Sequence, residues 1–442
     1  MSGAEKPGGF TFALRALRSR NYRLFFGGQI VSLVGTWMTS VATSWLVYRL
    51  TGSAWLLGVV AFAGQLPSFV LGPVGGMVVD RWDKRRLIIT TQFLAMLQSF
   101  SLAFLTLTGR ITVTNLLLLN AIDGLINAFD MPARQAFLVD MIEHKEDLGN
   151  AIALNSSMVN AARLLGPAIG GLVIAAVGEG WCFFIDGASF LAVLGTMFAM
   201  RVVARPPKAR HAGGALAEMR EGWDYVRGFR PVRSIILLLA IVSLVGVPYS
   251  VLVPIFAGTV LHGGPHTLGW LMTSSGFGAL CAALWLTSRK NVLGLGRAIP
   301  AGGAVFGAAL FTFSFTRSVP AGMAALAVAG AGFMIQLAAS NTIVQTVVDD
   351  DKRGRVMSFF MMSFFGTAPF GSLLAGSLAD RIGAPATLRC AGLCCLAAAA
   401  WFALRLEELR ESIRPIYRRM GILPAVRDAV RDSSGMNYPP HD

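Results

Sequence analysis

Charge is what this sequence has least of. Asp, Glu, Lys and Arg make up 14% of 442 residues, while 54% are hydrophobic and the mean hydropathy is +0.60. A soluble domain carries about 25% charged residues, and a chain of this length needs a polar surface to remain in water. The deficit excludes a soluble enzyme, a disordered chain and a secreted disulfide scaffold. Cysteine is also sparse. Cys182, Cys281, Cys390, Cys394 and Cys395 all lie within apolar runs and build no disulfide framework. Cys390 and Cys394, four residues apart, read as small packing residues rather than a metal or redox pair. There is no Walker loop, no serine elbow, no zincin helix and no His/Cys/Asp cluster at metal-ligand spacing. His262 and His266 are separated by Gly263-Gly264-Pro265, which keeps them off a common helix. No cofactor, metal or enzymatic activity is expected, and ATP does not drive the protein directly.

The apolar residues form continuous runs of about 20 residues, the length an α-helix needs to cross a bilayer. They do not alternate, which excludes a transmembrane β-barrel. The first run, Leu24 to Leu50, is too long for a signal peptide and has no small-residue cleavage site after it. It reads as a membrane helix behind a basic tail of Arg15, Arg18, Arg20 and Arg23. Twelve spans are predicted, at about 22–48, 55–79, 87–108, 112–131, 151–176, 181–203, 234–260, 267–288, 297–316, 319–347, 356–379 and 386–406.

The net charge of +14 is distributed between these spans. With the N-terminus inside, 32 of the 38 Lys and Arg fall in inside segments and five in outside loops (Arg49, Arg110, Arg317, Arg381 and Arg389), leaving Arg163 within span 5. That asymmetry places both termini in the cytoplasm. No recognition motif makes the charge a nucleic-acid signal.

The longest hydrophilic interior stretch divides the chain into an N-terminal six-helix bundle (1–203), a linker (204–233), a C-terminal six-helix bundle (234–406) and a tail (407–442). In the linker, after Arg205–Lys208 and Gly213-Gly214, Leu216, Met219, Trp223 and Val226 recur at helical spacing beside Arg220, Arg227 and Arg230. An amphipathic helix on the cytoplasmic membrane surface is expected. Leu409, Ile413 and Ile416 with Arg410, Arg414 and Arg418 repeat the pattern in the tail. Both segments suit anionic lipid, although a solvated linker and tail remain open, and the last ten residues read as disordered. The halves also repeat one another weakly. The charged loops before spans 5 and 11 place Gly149 and Gly354 205 residues apart, and Gly166-Pro167 in span 5 is matched by Ala368-Pro369 in span 11, 202 apart. Two duplicated bundles with an inside linker are a transporter architecture, its substrate site near the bilayer midplane between them.

The sharpest local pattern follows span 2, where Gly72, Gly75 and Gly76 precede Asp80-Arg81, Lys84, Arg85 and Arg86. Glycines allow close helix approach, and Asp80 at the helix end can pair with an Arg or a helix N-terminus in one conformation only. This segment resembles the loop 2–3 motif of the major facilitator superfamily, with Asp83 where the family has glycine. Arg163 to Gly171, with Gly166, Pro167, Gly170 and Gly171, looks like half of the superfamily's antiporter motif. Ala153 and Ala162 stand where the full motif has glycines. Asp130, Pro132, Arg134 and Gln135, with Asn150, Asn155 and Ser156, are similar to the branch containing enterobactin exporters and related drug-efflux proteins. The resemblance covers residues 20–406 and implies an all-α fold of two pseudo-symmetric six-helix bundles. It further implies a charge relay of Asp80, Arg81, Arg85 and Asp130 that locks one state, and a Gly-Pro kink in span 5 that marks exporters. Independently of the family, Pro167 removes an amide hydrogen bond, so a bend is expected there.

Charges inside the membrane cost about 2.5–3.5 kcal/mol each at the centre and seldom face lipid. Asp123 in span 4 and Arg163 in span 5 lie at similar depth on consecutive antiparallel spans. They read either as a structural ion pair or as a proton site tuned by its neighbour, with Arg163 an alternative contact for an anionic substrate. Asp186, in the outer part of span 6, is a second coupling candidate or a residue at the headgroups. Gln29, Ser32, Thr36, Trp37, Asn120, Asn127, Asn155, Ser156, Asn160, Tyr249, Gln336, Asn341, Phe364 and Phe365 are candidates to line a cavity for an amphipathic, partly aromatic substrate.

The expected protein is a monomeric proton antiporter of the bacterial cytoplasmic membrane. It would export a small molecule such as a siderophore or drug by rocking two bundles, with protons and anionic lipids as partners. Its rivals are an importer or facilitator of a metabolite or lysolipid, and a receptor or scaffold without flux.

Overall fold

The computed structural model describes residues 14–201, 215–288 and 294–419. The start of the linker with Arg205, Lys208, Gly213 and Gly214, the side chains of Leu216 and Met219, and the final ten residues lie outside that description. All regular structure among the described residues is helical.

Among the described residues twelve helices are long and apolar enough to cross a membrane: α1 Arg20–Thr51, α2 Ala54–Arg81, α3 Lys84–Leu107, α4 Val113–Asp140, α5 Leu148–Val177, α6 Glu179–Ala199, α7 Arg230–Val260, α8 Pro265–Thr287, α9 Leu295–Phe313, α10 Val319–Val347, α11 Asp350–Ile382 and α12 Ala384–Leu404. Helix is the conformation that satisfies every backbone N–H and C=O within one segment, which lipid demands. The chain is an integral membrane protein with one helix for each predicted span.

The helices outrun the hydropathy windows where their ends are polar. α4 continues to Asp140, nine residues past the expected boundary, because Pro132 is accommodated inside it and Asp130 pairs with Arg134 one turn on. α11 begins at Asp350 for the same reason: its charged first turns carry low hydropathy but form helix. α5 runs unbroken through Pro167.

The two halves pack alike. α2 lies against α4 as α8 lies against α10, and α3 against α6 as α9 against α12. The tight turns between α5 and α6 and between α11 and α12 both pivot on a glycine at positive φ, Gly178 (92°) and Gly383 (84°), 205 residues apart. A side chain there would be strained.

One face of the molecule holds the start of α1, the end of α6, the start of α7 and the tail helix Leu406–Arg419. Asn21 donates to the Arg201 carbonyl at 3.0 Å, and Arg230 at the start of α7 pairs with Glu408 in the tail helix Leu406–Arg419. This is called the linker face below, and its opposite the far face. The buried apolar residues show how the halves meet. One cluster, from Met38 and Trp45 to Phe256, Leu271 and Ala375, joins both bundles toward the far face. Toward the linker face the core splits into a C-terminal cluster around Phe306 and Val344 and a separate N-terminal one around Tyr22 and Phe137.

The two short amphipathic helices dock on protein. In the linker helix Ala215–Gly228, Val226 is buried, Trp223 stacks on Phe359 at 5.9 Å, and Glu221 pairs with Arg355 at 2.7 Å. The tail helix buries Leu409 and packs Ile413, Ile416 and Tyr417 on the C-terminal bundle. Burial raises the pKa of Tyr417 above its ordinary value. Its basic residues Arg414 and Arg418 are exposed.

A cavity between the bundles and its gate

Glycine decides where the bundles close. Near the far face α2 crosses α11 at Gly58 and Gly376, and α5 crosses α8 at Gly171 and Gly269. A Cβ on any of the four would meet the opposing backbone at 2.9–3.2 Å or closer. The Tyr48 and Thr259 hydroxyls bridge α1 and α7 there at 2.9 Å. Arg49 donates to both carboxylate oxygens of Glu179 at 2.7 and 3.2 Å. The α2–α11 contact continues through the Phe62–Phe370 ring pair at 5.9 Å to Phe69 against Gly366. It then stops: Gly72 and Gly76, the next turns of α2, have nothing within 4 Å.

The space left between the bundles is a cavity of about 630 Å³, reaching from Val47 and Leu57 to Gly72 and Pro132. Asp123, Asp186, Asn120, Asn127, Thr36 and Phe365 line it. Asp186 is not a headgroup residue. It is 3% exposed, with Oδ2 accepting from Thr39 at 3.0 Å and Ser99 at 2.9 Å. Its Oδ1 has no hydrogen-bond partner and rests where a Gly35 side chain would be. Hydroxyl donors offset part of the cost of burying a carboxylate. Asp123 is half-buried and accepts from Asn127 of its own helix at 3.0 Å.

Asp123 and Arg163 form no ion pair. The Arg163 guanidinium lies 5.8 Å from the Trp37 ring centroid, and neither Arg163 nor Trp37 lines the cavity. Similar depth on adjacent helices did not bring them together because α5 turns Gly166 and Gly170 onto α1, against Trp37 and Met38, and Gly171 onto α8. Gln29 and Gln336 are buried inside their bundles, and Asn155, Asn160, Asn341 and Phe364 lie outside the lining. Tyr249 bonds Ser275 at 2.7 Å within the C-terminal bundle. The polar residues missed are Thr39, Ser40, Thr43, Ser44, Gln65, Ser68, Gln98, Ser99 and, from the C-terminal bundle, Ser250. A signal existed for the α1 set: with Thr36 these hydroxyls recur every three to four residues, one stripe of a helix.

The expected charge relay is split in this state. Asp130, 2% exposed, accepts from Thr91 at 2.7 Å and Gln92 at 3.0 Å and pairs with Arg134 at 2.6 Å. Arg85 instead donates to the Met197 carbonyl at 2.7 Å, satisfying the end of α6, and Lys84 pairs with Asp140 at 2.6 Å. Asp80 and Arg81 are exposed, and no described residue pairs with either. Asp83, where the family has glycine, caps α3 by accepting from the Arg86 amide at 2.8 Å, a side-chain hydrogen bond that glycine cannot make. Among the described residues no group of His, Cys, Asp or Glu could hold a metal ion.

Residues 11–436 match the family described as transmembrane secretion effector. The chain is 26% identical over 402 residues to the staphyloferrin A transporter of Staphylococcus aureus, covering 88% of this chain and 99% of that protein. It is 28% identical over 394 residues to the multidrug efflux pump Tap of Mycolicibacterium fortuitum, covering 86% and 95%. Two solved structures share its fold. A bacterial homologue of the human lysosomal transporter Spinster, inward-facing and unoccupied, aligns with a TM-score of 0.68 at 14% identity, covering 92% of this chain and 99% of that one. A POT family transporter in complex with 5-aminolevulinic acid aligns at 0.72 and 10%, covering 88% and 97%.

Proposed function

The chain belongs to the transmembrane secretion effector family of major facilitator secondary transporters, and from that premise we propose that it is a proton-coupled exporter of amphipathic small molecules. The observation that carries this reading is one cavity, sealed at the far face by the Gly58–Gly376 and Gly171–Gly269 crossings, with Asp123 and Asp186 in its wall. The positive-inside distribution supports a cytoplasmic linker face, which would make this state inward-open, and the bacterial relatives support a bacterial cytoplasmic membrane. The siderophore transporter and drug pumps among its relatives support export.

In the cycle, substrate enters from the linker face while Asp123 and Asp186 are free to release protons. The bundles then rock. The far-face crossings part, and α2 closes on α11 through the open glycine face of Gly72 and Gly76. Asp80 and Arg81, unpaired here, meet partners in that second state and hold it. Protons taken up from the outside reset the carboxylates. Each proton crossing brings about 2.3 kcal/mol per 100 mV of membrane potential, enough to drive accumulation against a gradient.

Asp123→Asn tests the coupling. In proteoliposomes with an imposed proton gradient, the variant is expected to remain folded and lose proton-driven flux; undiminished coupled flux would falsify the assignment. Flux in inverted vesicles, where export appears as substrate uptake coupled to proton release, separates export from import.

A further inference from the structure

A second cavity, of about 450 Å³, opens on the linker face and shares no lining residue with the cavity between the bundles. It lies between the tail helix Leu406–Arg419 and the ends of α7, α9, α10 and α12. We infer that it is a lipid site, seating the headgroup and first chain carbons of an ethanolamine phospholipid from the adjoining leaflet. Such a site is independent of the substrate carried between the bundles.

The floor of the cavity is apolar: Ile235, Ile299, Ile343 and Phe402 line it and are buried. They come from the first turns of α7 and α9 and the last turns of α10 and α12, the level at which membrane spans meet headgroups. The rim is charged and belongs to the tail helix, with Glu407, Arg410, Glu411 and Arg414. Arg410 reaches Glu407 at 3.4 Å, an exposed pair of little strength. Glu411 and Arg414 are exposed, and no described residue pairs with either. Residues three apart on a helix are neighbours, so an unpaired acid and an unpaired base stand side by side above an apolar floor. An ethanolamine phospholipid carries the complementary set: a phosphate for Arg414, an ammonium that donates to Glu411, and a hydrocarbon stem for the floor. The first turn of α9 favours the phosphate further. Gly294 and Gly296 line the cavity there, and that helix begins without a side-chain cap or an acidic residue. Tyr417 adds a hydroxyl that burial keeps protonated and able to donate. The four rim charges sum to zero. A purely anionic headgroup gains the arginines but meets Glu407 and Glu411, and a choline headgroup has no N–H to give Glu411.

The test releases the full-length protein from nanodiscs of phosphatidylethanolamine, phosphatidylglycerol and phosphatidylcholine in equal parts, with matched acyl chains. Native mass spectrometry then counts the lipids that stay bound. The wild type is expected to retain one phosphatidylethanolamine with at least about tenfold preference over either other lipid. Arg414→Gln and Glu411→Gln are each expected to reduce that retention about tenfold. Both side chains are exposed, so the melting temperature should not move. Glu411→Lys, which leaves the rim positive, is expected to shift the preference to phosphatidylglycerol. Excess soluble O-phosphoethanolamine should not displace the lipid, because it has no chain for the floor; displacement would assign the cavity to a soluble amine phosphate and overturn the lipid site. Equal retention of the three lipids, a wild-type preference for phosphatidylglycerol or phosphatidylcholine, or a phosphatidylethanolamine preference unchanged in all three variants overturns it as well.

Discussion

Asp130 on α4 and Gln336 on α10 hold corresponding places in the two bundles, 206 residues apart. Asp130 is met by Thr91 and Gln92 on α3 and by Arg134. Gln336 faces Gly302 and Gly303 on α9, where added side chains would collide with it, and neither its amide nitrogen nor its oxygen has a partner. The same register sets Asp123 opposite Ala329, and the 205-residue spacing of the Gly178 and Gly383 turns sets Asp186 opposite Ala391, both buried alanines. One bundle thus places donors around buried acids. The other fills the matching sites with small residues and aromatic contacts, such as Phe306 with Phe333 at 5.4 Å and Phe333 with Phe364 at 5.8 Å. The two halves share a packing plan and differ in chemistry, with buried acids and their donors on one side and close-packed, apolar contacts on the other.

The comparison is sharpest at the carboxylates. Asp186→Asn is expected to reduce proton-driven transport about 100-fold, a difference of about 2.7 kcal/mol in the cycle. Ala391→Asp, which adds the carboxylate at the matching site without the hydroxyl donors of Thr39 and Ser99, should not create proton dependence in the C-terminal bundle; flux against pH in proteoliposomes reads both. For stability the largest effect belongs to Arg134→Ala, which strands the buried Asp130 charge and should cost about 3–5 kcal/mol, read by thermal denaturation. Gln336→Leu should do the opposite, raising stability by about 1–2 kcal/mol because two unpaired polar atoms leave the core. A drop in melting temperature there would show that the bundles differ less than described. The smallest effect is expected at Gly76→Val. With nothing within 4 Å it should change stability by less than about 0.5 kcal/mol. It should nonetheless abolish cycling, because the open face of α2 could no longer close. Gly58→Val acts at the opposite end, where the α11 backbone leaves no room, and should expose far-face cysteine reporters to an impermeant thiol reagent.

Much of this was legible without coordinates, and the reason is local. Hydropathy over a window of about 19 residues measures what lipid tolerates, so all twelve spans appeared. Where the spans came out short, at Asp140 and Asp350, the cause was charge in a helical end that extends beyond the apolar core. Asp123 and Asp186 stood out because a charge in an apolar run is conspicuous wherever it points. Gln29 and Gln336 stood out equally and turned inward, while Ser40, Ser44 and Ser68 were passed over because a hydroxyl in a membrane helix more often bonds its own backbone.

The chain by itself determined that it is helical, that it has twelve spans long and apolar enough to cross a membrane, that its halves weakly repeat one another and that it belongs to the major facilitator superfamily. These depend on composition, spacing and short motifs. Only the tertiary structure decided that Asp186 meets Thr39 and Ser99, that Asp123 and Arg163 stay apart, and that the bundles touch at Gly58, Gly171, Gly269 and Gly376. An apolar helix with isolated polar residues has no face defined by its own sequence. Its rotation about its axis is set by the neighbours it packs against, and that rotation chooses which polar atoms share a cavity.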